Sequence, residues 1–308
     1  MIDITSLTKQ FDKTPALDGL ELHVKKGSIY GLIGVNGSGK TTALKIVTGI
    51  LRPDIGEARM DGEPVYDNLS LKARMGFIPD ELFFFGSYSL TECASFYKRL
   101  FPGWNAERFA EMKERFALPE RRRVTRFSKG MQKQAAFMLT MSAMPDFLIL
   151  DEPIDGLDPL VRKLVWKYIV DDVAARSMTV LVSSHNLREM EGICDSIGIL
   201  HRGKMLIERD LDELKSDLHK VQVAFPEGSG SGADNAAAAV ERYNGLELLH
   251  RETRGTVELL IIRAPEDIVR SVIGAQNPLI FDLLPLSLEE IFMYELGGEH
   301  SELGAIIF

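Results

Sequence analysis

Residues 34–42 of this 308-residue chain read Gly-Val-Asn-Gly-Ser-Gly-Lys-Thr-Thr and fit the pattern G-x-x-x-x-G-K-[ST], with Gly34, Gly39, Lys40 and Thr41 in the fixed places. The chemistry this suits is holding a triphosphate. Backbone N–H groups must wrap the phosphates, and glycines let the chain come close enough. Asn36, Gly37, Ser38 and Thr42 complete the loop. Lys40 is placed to reach the β- and γ-phosphates, and the Thr41 hydroxyl to ligate Mg²⁺. An ordinary glycine-rich turn can show the same letters. Here the run follows the apolar Ser-Ile-Tyr-Gly-Leu-Ile-Gly and opens a helix, which is the context a phosphate loop requires.

Acidic and imidazole groups recur at the ends of two further apolar runs. Phe147–Leu150 is predicted to be a buried strand that delivers Asp151 and Glu152 to its C-terminal edge, where ligands bind in open parallel sheets. Asp151 suits a magnesium site reached through water, and Glu152 the general base that takes a proton from an attacking water. Alone, the pair would read as exposed acids closing a strand. His185 ends Met-Thr-Val-Leu-Val-Ser-Ser-His and is expected at the same sheet edge, where it can hydrogen-bond the γ-phosphate and hold the water in line.

The elements that must position these groups alternate. Short strands and a helix fill the first sixty residues or so, and strands separated by helices return after residue 146. That order predicts an α/β fold with a largely parallel sheet. Between them, Ser89 to about Met144 reads as helical, with Ser89 and Glu92 suited to a capping box and Asn105 to an N-cap. The predicted organisation is an α/β core over 1–85 and 146–218, a helical insert over 86–145, and a small C-terminal α+β module over 219–308. Phe-Pro-Glu-Gly-Ser-Gly-Ser-Gly-Ala-Asp-Asn reads as a flexible connection and the closing Ala-Ile-Ile-Phe as a frayed end.

Composition narrows the partners. With 36 Lys and Arg against 45 Asp and Glu, the net charge is −9, which disfavours nucleic acid because that binding rests on neutralising phosphates. The Arg121–Arg126 run reads as a solvated loop face more readily than as a lipid or nucleic-acid site. Cys93 and Cys194 form no disulfide framework and read as buried thiols in helical segments. The opening Met1–Asp3 leads into a strand-like segment and not a signal peptide, and no apolar run approaches the ~18 residues of a spanning helix. Any membrane role is therefore expected through a partner.

With these motifs in order, residues 1–215 resemble the ATP-binding subunits of ABC transporters. The expected fold is a phosphate-loop ABC ATPase core with a helical subdomain insert and a C-terminal accessory domain. In that family a Leu-Ser-Gly-Gly-Gln signature lies between the phosphate loop and the Asp-Glu pair. Phe-Ser-Lys-Gly-Met-Gln stands at that place, with Ser128, Gly130 and Gln132 read as retained and Lys129 in place of a glycine. The resemblance implies that this helix start caps the γ-phosphate held by the other subunit of a head-to-tail dimer, of identical or related chains. It further implies that Asp158, in Gly-Leu-Asp-Pro, links the two sites, that Phe11 stacks on adenine, and that Asp80 takes the place of a glutamine that contacts Mg²⁺ or water and senses the membrane subunit. A core aromatic remains the other reading of Phe11. ATP and Mg²⁺ are the implied cofactors.

The Ser-Lys-Gly-Met-Gln-Lys-Gln, Pro-Ile-Asp-Gly-Leu-Asp-Pro and Ser-Leu-Glu-Glu-Ile-Phe-Met-Tyr-Glu-Leu-Gly-Gly runs are similar to those of ABC-2-type exporter ATPases. The insert is closer still to the ATPases of the Ytr and phenol-soluble-modulin exporters. That resemblance implies a subunit peripheral to the cytoplasmic face of the membrane, driving export through a separate integral-membrane permease, with amphipathic peptides among the cargo classes it suggests. Phe83–Phe85 would either meet that permease or pack the insert on the core. The other class of function is a soluble ABC ATPase in translation or DNA repair. Such proteins usually carry paired cores or a long coiled-coil insert, and this chain has a single core and a short insert.

Overall fold

The computed structural model describes residues 1–12, 14–225 and 246–296. Most of the Gly/Ser-rich connection and the closing Ala-Ile-Ile-Phe fall outside the described residues. The chain forms two compact units, Met1–Glu208 and Arg209–Phe308.

The first unit opens with β1 (Ile2–Phe11), β2 (Thr14–Val24) and β3 (Ile29–Ile33), then helix α1 (Lys40–Val47). It continues through β4 (Ile55–Met60), β5 (Glu63–Pro64), α2 (Leu69–Lys72) and β6 (Met75–Ile78). Helices α3 (Leu90–Leu100), α4 (Ala106–Phe116) and α5 (Lys129–Ser142) follow. The unit then returns through β7 (Phe147–Asp151), α6 (Pro159–Arg176), β8 (Thr179–Ser184), α7 (Leu187–Met190), β9 (Ser196–His201) and β10 (Lys204–Asp210).

A six-stranded sheet, ordered β10-β9-β3-β8-β7-β6, carries the candidate site. The pairs β9/β3, β3/β8, β8/β7 and β7/β6 are parallel. Strands β3, β7 and β8 are buried along their whole length, so they read as unbroken apolar runs and not as alternation. A second sheet, β2-β1-β4-β5, is antiparallel and buries alternate residues of β2, Leu20, Leu22 and Val24 among them. Ile2, Leu7 and Met60 of that sheet pack with Leu44 and Val47 of α1 and with Phe147, Ile149 and Leu181 of the parallel sheet in one core. Helix α1 is thereby fixed with its N-terminus at the edge where the parallel strands end.

The helical insert departs from the pattern in one place. Ser89 and Glu92 do form a capping box on α3, and Asn105 caps α4. Helicity stops at Phe116, however, because Ala117 turns left-handed (φ 49°) and Pro119, having no N–H, cannot continue the ladder. Only a short 3₁₀ turn at Val124–Arg126 precedes α5, which starts afresh with Ser128 as N-cap.

The second unit contains α8 (Leu211–Asp217), β11 (Leu218–Ala224), β12 (Glu247–Arg254), β13 (Val257–Arg263), α9 (Glu266–Gly274), β14 (Ile280–Leu284) and α10 (Leu288–Leu296). Its antiparallel sheet, β12-β13-β11-β14, buries Val221, Val223, Leu260 and Ile262 against Val269 and Ile273 of α9. Among the described residues no helix is long and apolar enough to cross a membrane.

Candidate functional site: a phosphate loop at the sheet edge

The phosphate loop joins β3 to α1 and is braced from two sides. The Gly34 N–H donates to the Ser184 carbonyl at the end of β8 (3.2 Å), and the Ser38 carbonyl accepts from the Gly203 N–H in the β9–β10 turn (2.8 Å). Two glycines are obligatory there. A side chain on Gly34 would run into the Leu200 carbonyl, and Gly39, at φ 113°, would drive one to 2.5 Å from the Ala16 carbonyl. Lys40 is buried, with Nζ donating to the Gly34 carbonyl at 2.6 Å and lying 3.5 Å from Oε1 of Glu152. The loop, Ala16, Asp80, Asp151 and Glu152 line a cavity of about 220 Å³ that includes Asn36, Gly37, Ser38, Lys40, Thr41 and Thr42.

Asp151 and Glu152 arrive at this cavity on the end of β7, as the strand pattern requires. Asp151 is buried, and its Oδ1 accepts from the Ser183 hydroxyl at 2.6 Å while Oδ2 has no protein partner. The buried Ser38 hydroxyl is also unpartnered. A buried carboxylate oxygen and hydroxyl without partners are costly unless something else meets them. Beside Thr41 and a positive helix end, that donor set fits Mg²⁺ held with a polyphosphate. Glu152 has φ 47°, a left-handed conformation rare for a residue with a side chain, and its Oε2 lies 2.9 Å from Nδ1 of His185. Imidazole is thus brought onto the acid that lines the cavity.

Two further residues hold this arrangement. Ser183 bonds Asp151 through its hydroxyl, and both its hydroxyl (3.2 Å) and its carbonyl (3.3 Å) accept from the Glu152 N–H. Lys133 of α5 is buried and donates to the Glu152 carbonyl at 2.7 Å and to Asp80 at 3.2 Å. Both stand inside runs that carry other site residues, Ser183 two before His185 and Lys133 next to Gln132, but the runs themselves assign neither a role. The readable signal for Lys133 is its helical spacing with Phe137 and Thr140 on the buried face of α5, where a lysine demands partners.

The remaining sequence-derived positions lie apart from the cavity. Phe11 is 48% exposed at the end of β1, with the Lys9 ammonium over its ring, while the same hairpin reaches the cavity with Ala16. Asp158 caps α6 through the Leu160 and Val161 N–H groups. Ser128 and Lys129 are exposed at the start of α5, and the Ser128 hydroxyl accepts from the Met131 N–H. Gly130 passes close to the Gly156 carbonyl, so a side chain there would be 2.9 Å from it. Gln132 turns back to the Phe127 carbonyl at 3.1 Å. With Phe127 in the first place of the signature and Ser128 in the second, the fifth place falls on Met131, next to Gln132.

A phosphate loop, an Asp-Glu strand end and a histidine on the neighbouring strand, set on this sheet with a helical insert, define an ABC-type ATPase cassette. Residues 17–155 match the family described as ABC transporter. The chain is 30% identical to the ABC transporter ATP-binding protein YtrB of Bacillus subtilis over 97% of its own length and 99% of that protein's. It is 33% identical to the bacitracin transport ATP-binding protein BcrA of Bacillus licheniformis over 70% of this chain and 71% of that one. Among solved structures, an ATP-binding subunit of an ABC transporter is similar with a TM-score of 0.66 and 25% identity, covering 70% of this chain and 92% of that chain. The chain belongs to the ATP-binding proteins of ABC transporters and is an ATPase.

Proposed function

We propose that this chain hydrolyses Mg-ATP to drive export through a separate membrane permease. The observation that carries this reading is the convergence of Lys40, Asp151 and Glu152 on one cavity, with His185 bonded to Glu152. Lys40 and the loop amides bind the β- and γ-phosphates. Thr41 and Asp151 are the residues that would hold Mg²⁺, which supplies charge neutralisation on the phosphate oxygens. Glu152 takes a proton from the water whose oxygen bonds to the γ-phosphorus. The bond from that phosphorus to the bridging oxygen breaks, and ADP leaves with the electron pair. His185 orients Glu152 and the γ-phosphate.

A head-to-tail dimer, with itself or with a related ATPase, gives Ser128 and Lys129 a role that they do not have at their own chain's cavity. At such an interface the exposed α5 N-terminus supplies donors to a partner's γ-phosphate, and Asp158 sits between the two sites. ATP then favours the closed dimer and ADP does not, and that difference moves the permease. Peripheral attachment at the cytoplasmic face through the permease follows from this reading. Export is favoured by relatives named for bacitracin transport and, at 31% identity over 67% of this chain, for Nod factor export in Paraburkholderia xenovorans. An amphipathic peptide as cargo rests on the family resemblance alone. A soluble role in translation or DNA repair draws no support from these relatives.

Glu152→Gln tests the catalytic assignment: steady-state phosphate release should fall by about 10²-fold or more with ATP binding retained. Unchanged turnover defeats it. Extraction of the tagged chain in mild detergent tests the assembly, since a multi-spanning protein should remain bound in stoichiometric amount. A ribosome or nucleic-acid complex in its place defeats the export reading.

A further inference from the structure

Lys133 lies on the buried face of α5, and its ammonium spans two structures that are far apart in sequence. On one side is the Glu152 carbonyl at 2.7 Å; on the other is Oδ1 of Asp80 at 3.2 Å. Glu152 is where the backbone adopts a left-handed φ of 47°, a conformation that persists only when its surroundings over-determine it. Ser183 secures the N–H side of that residue from β8, and Lys133 secures the C=O side from the helical insert. Without the ammonium, this carbonyl would lose its bond and the strained residue its anchor on the C=O side of the backbone.

Resting on the ATPase reading above, we infer that Lys133 is a positioning residue for Glu152, and that Asp80 acts through Lys133 and not as a magnesium ligand. The side chains of Lys133 and Asp80 differ in exposure, 10% against 55%. Lys133 is therefore the enclosed member of the pair, held against the Glu152 peptide, and Asp80 is the more exposed member, at the cavity wall. Movement of the Asp80 segment pulls on Lys133 and reaches the Glu152 peptide directly. The loop that follows β6 thereby gains control over whether the general base is aimed, with no contact of its own to the nucleotide required.

The test is single-turnover ATP hydrolysis by the full chain, with Lys133→Met, Lys133→Arg, Asp80→Asn and the double variant Asp80→Asn/Lys133→Met. Lys133→Met should lower the hydrolysis rate about 10- to 100-fold, the range for losing a positioning partner, with ATP affinity little changed. Lys133→Arg should recover most of it. Asp80→Asn should lower the rate less, the double variant should be no slower than Lys133→Met, and the Mg²⁺ concentration for half-maximal rate should stay as in the wild type. Three results overturn the inference: a wild-type rate in Lys133→Met, multiplying effects of the two single substitutions, or a raised Mg²⁺ requirement in Asp80→Asn alone. If Lys133→Met fails to fold, Lys133→Arg and the exposed Asp80→Asn still decide through rate and Mg²⁺ requirement. A wild-type chain without turnover would defeat the ATPase reading itself, whereas failure of the inference appears only against an active wild type.

Discussion

The Ser183 hydroxyl lies 2.6 Å from Oδ1 of Asp151 and leaves Oδ2 as the oxygen without a protein partner. One neighbouring strand thus selects which half of the carboxylate is available to a cation. The same serine receives the Glu152 N–H, so both acids at the end of β7 are aligned by one residue of β8. Ser183→Ala should lower hydrolysis by about 10- to 100-fold and raise the Mg²⁺ requirement, as loss of an outer-shell partner does. Titrating Mg²⁺ against phosphate release checks this; an unshifted half-saturation point would show that Asp151 is aligned by other means.

Phe83 and Phe85 answer differently to the choice between permease contact and internal packing. Phe83 is 84% exposed, whereas Phe85 packs on Tyr88 and Phe96 with ring centroids 4.9 and 5.4 Å away. Phe83→Ser should leave thermal stability within about 0.5 kcal/mol of the wild type, as surface changes do. It should reduce permease stimulation of the ATPase. Phe85→Ser should instead destabilise the insert by roughly 1 kcal/mol or more through lost ring contacts. Melting curves and stimulated turnover, measured on both variants, separate the two roles, and a reversed pattern would contradict the assignment.

In the C-terminal unit, Glu290 links the start of α10 to β11. Burial alone would raise its carboxyl, but the Lys220 ammonium at 2.6 Å and the Ser287 N–H and hydroxyl more than reverse that and hold it below its ordinary value. The folded state therefore binds this proton less tightly than the unfolded chain. Stability from the pair is complete above the ordinary glutamate value of about 4.3 and is lost as pH falls through the lowered one. Lys220→Met should cost about 1 kcal/mol or less near neutrality, since the pair is partly screened by solvent. Hydrogen exchange in residues 218–224, compared at pH 7 and below pH 4, should show that difference shrinking in acid. A pH-independent difference would assign the effect to lost packing.

Both thiols should be silent in the native protein. Burial, with the neighbouring Glu92 charge, pushes Cys93 up to about 11, and burial with Asp195 pushes Cys194 higher still. A thiolate-specific disulfide reagent at pH 8 should modify neither within the time that labels both in denaturant, since the thiolate is the reactive form. Fast native labelling of either would mean that its segment opens locally.

The parts of this molecule that were legible in sequence are those in which chemistry dictates local spacing. The phosphate loop needs its glycines and lysine at fixed intervals, and an apolar strand that ends in Asp151 and Glu152 announces its own edge. Caps at Ser89 and Asn105 were readable for the same reason. The end of α4 was signalled too, by Pro119 and by the absence of apolar residues from 119 to 123, but apolar spacing on either side of it extends the helical reading across the break. Ser183 and Lys133 were illegible as site residues: each acts on a group from a distant segment, and only the packed sheet and α5 bring them together.

The bracing of the phosphate loop by Ser184 and Gly203 has a consequence for how tightly and how fast nucleotide is captured. The amides that would face the phosphates belong to a loop whose shape is set when the sheet forms, so binding need not order that stretch of chain, and little conformational entropy is lost there on association. Encounter then becomes a matter of diffusion and charge, and discrimination between ATP and ADP shifts to dissociation rates. Selection among nucleotides becomes a question of how long each one stays.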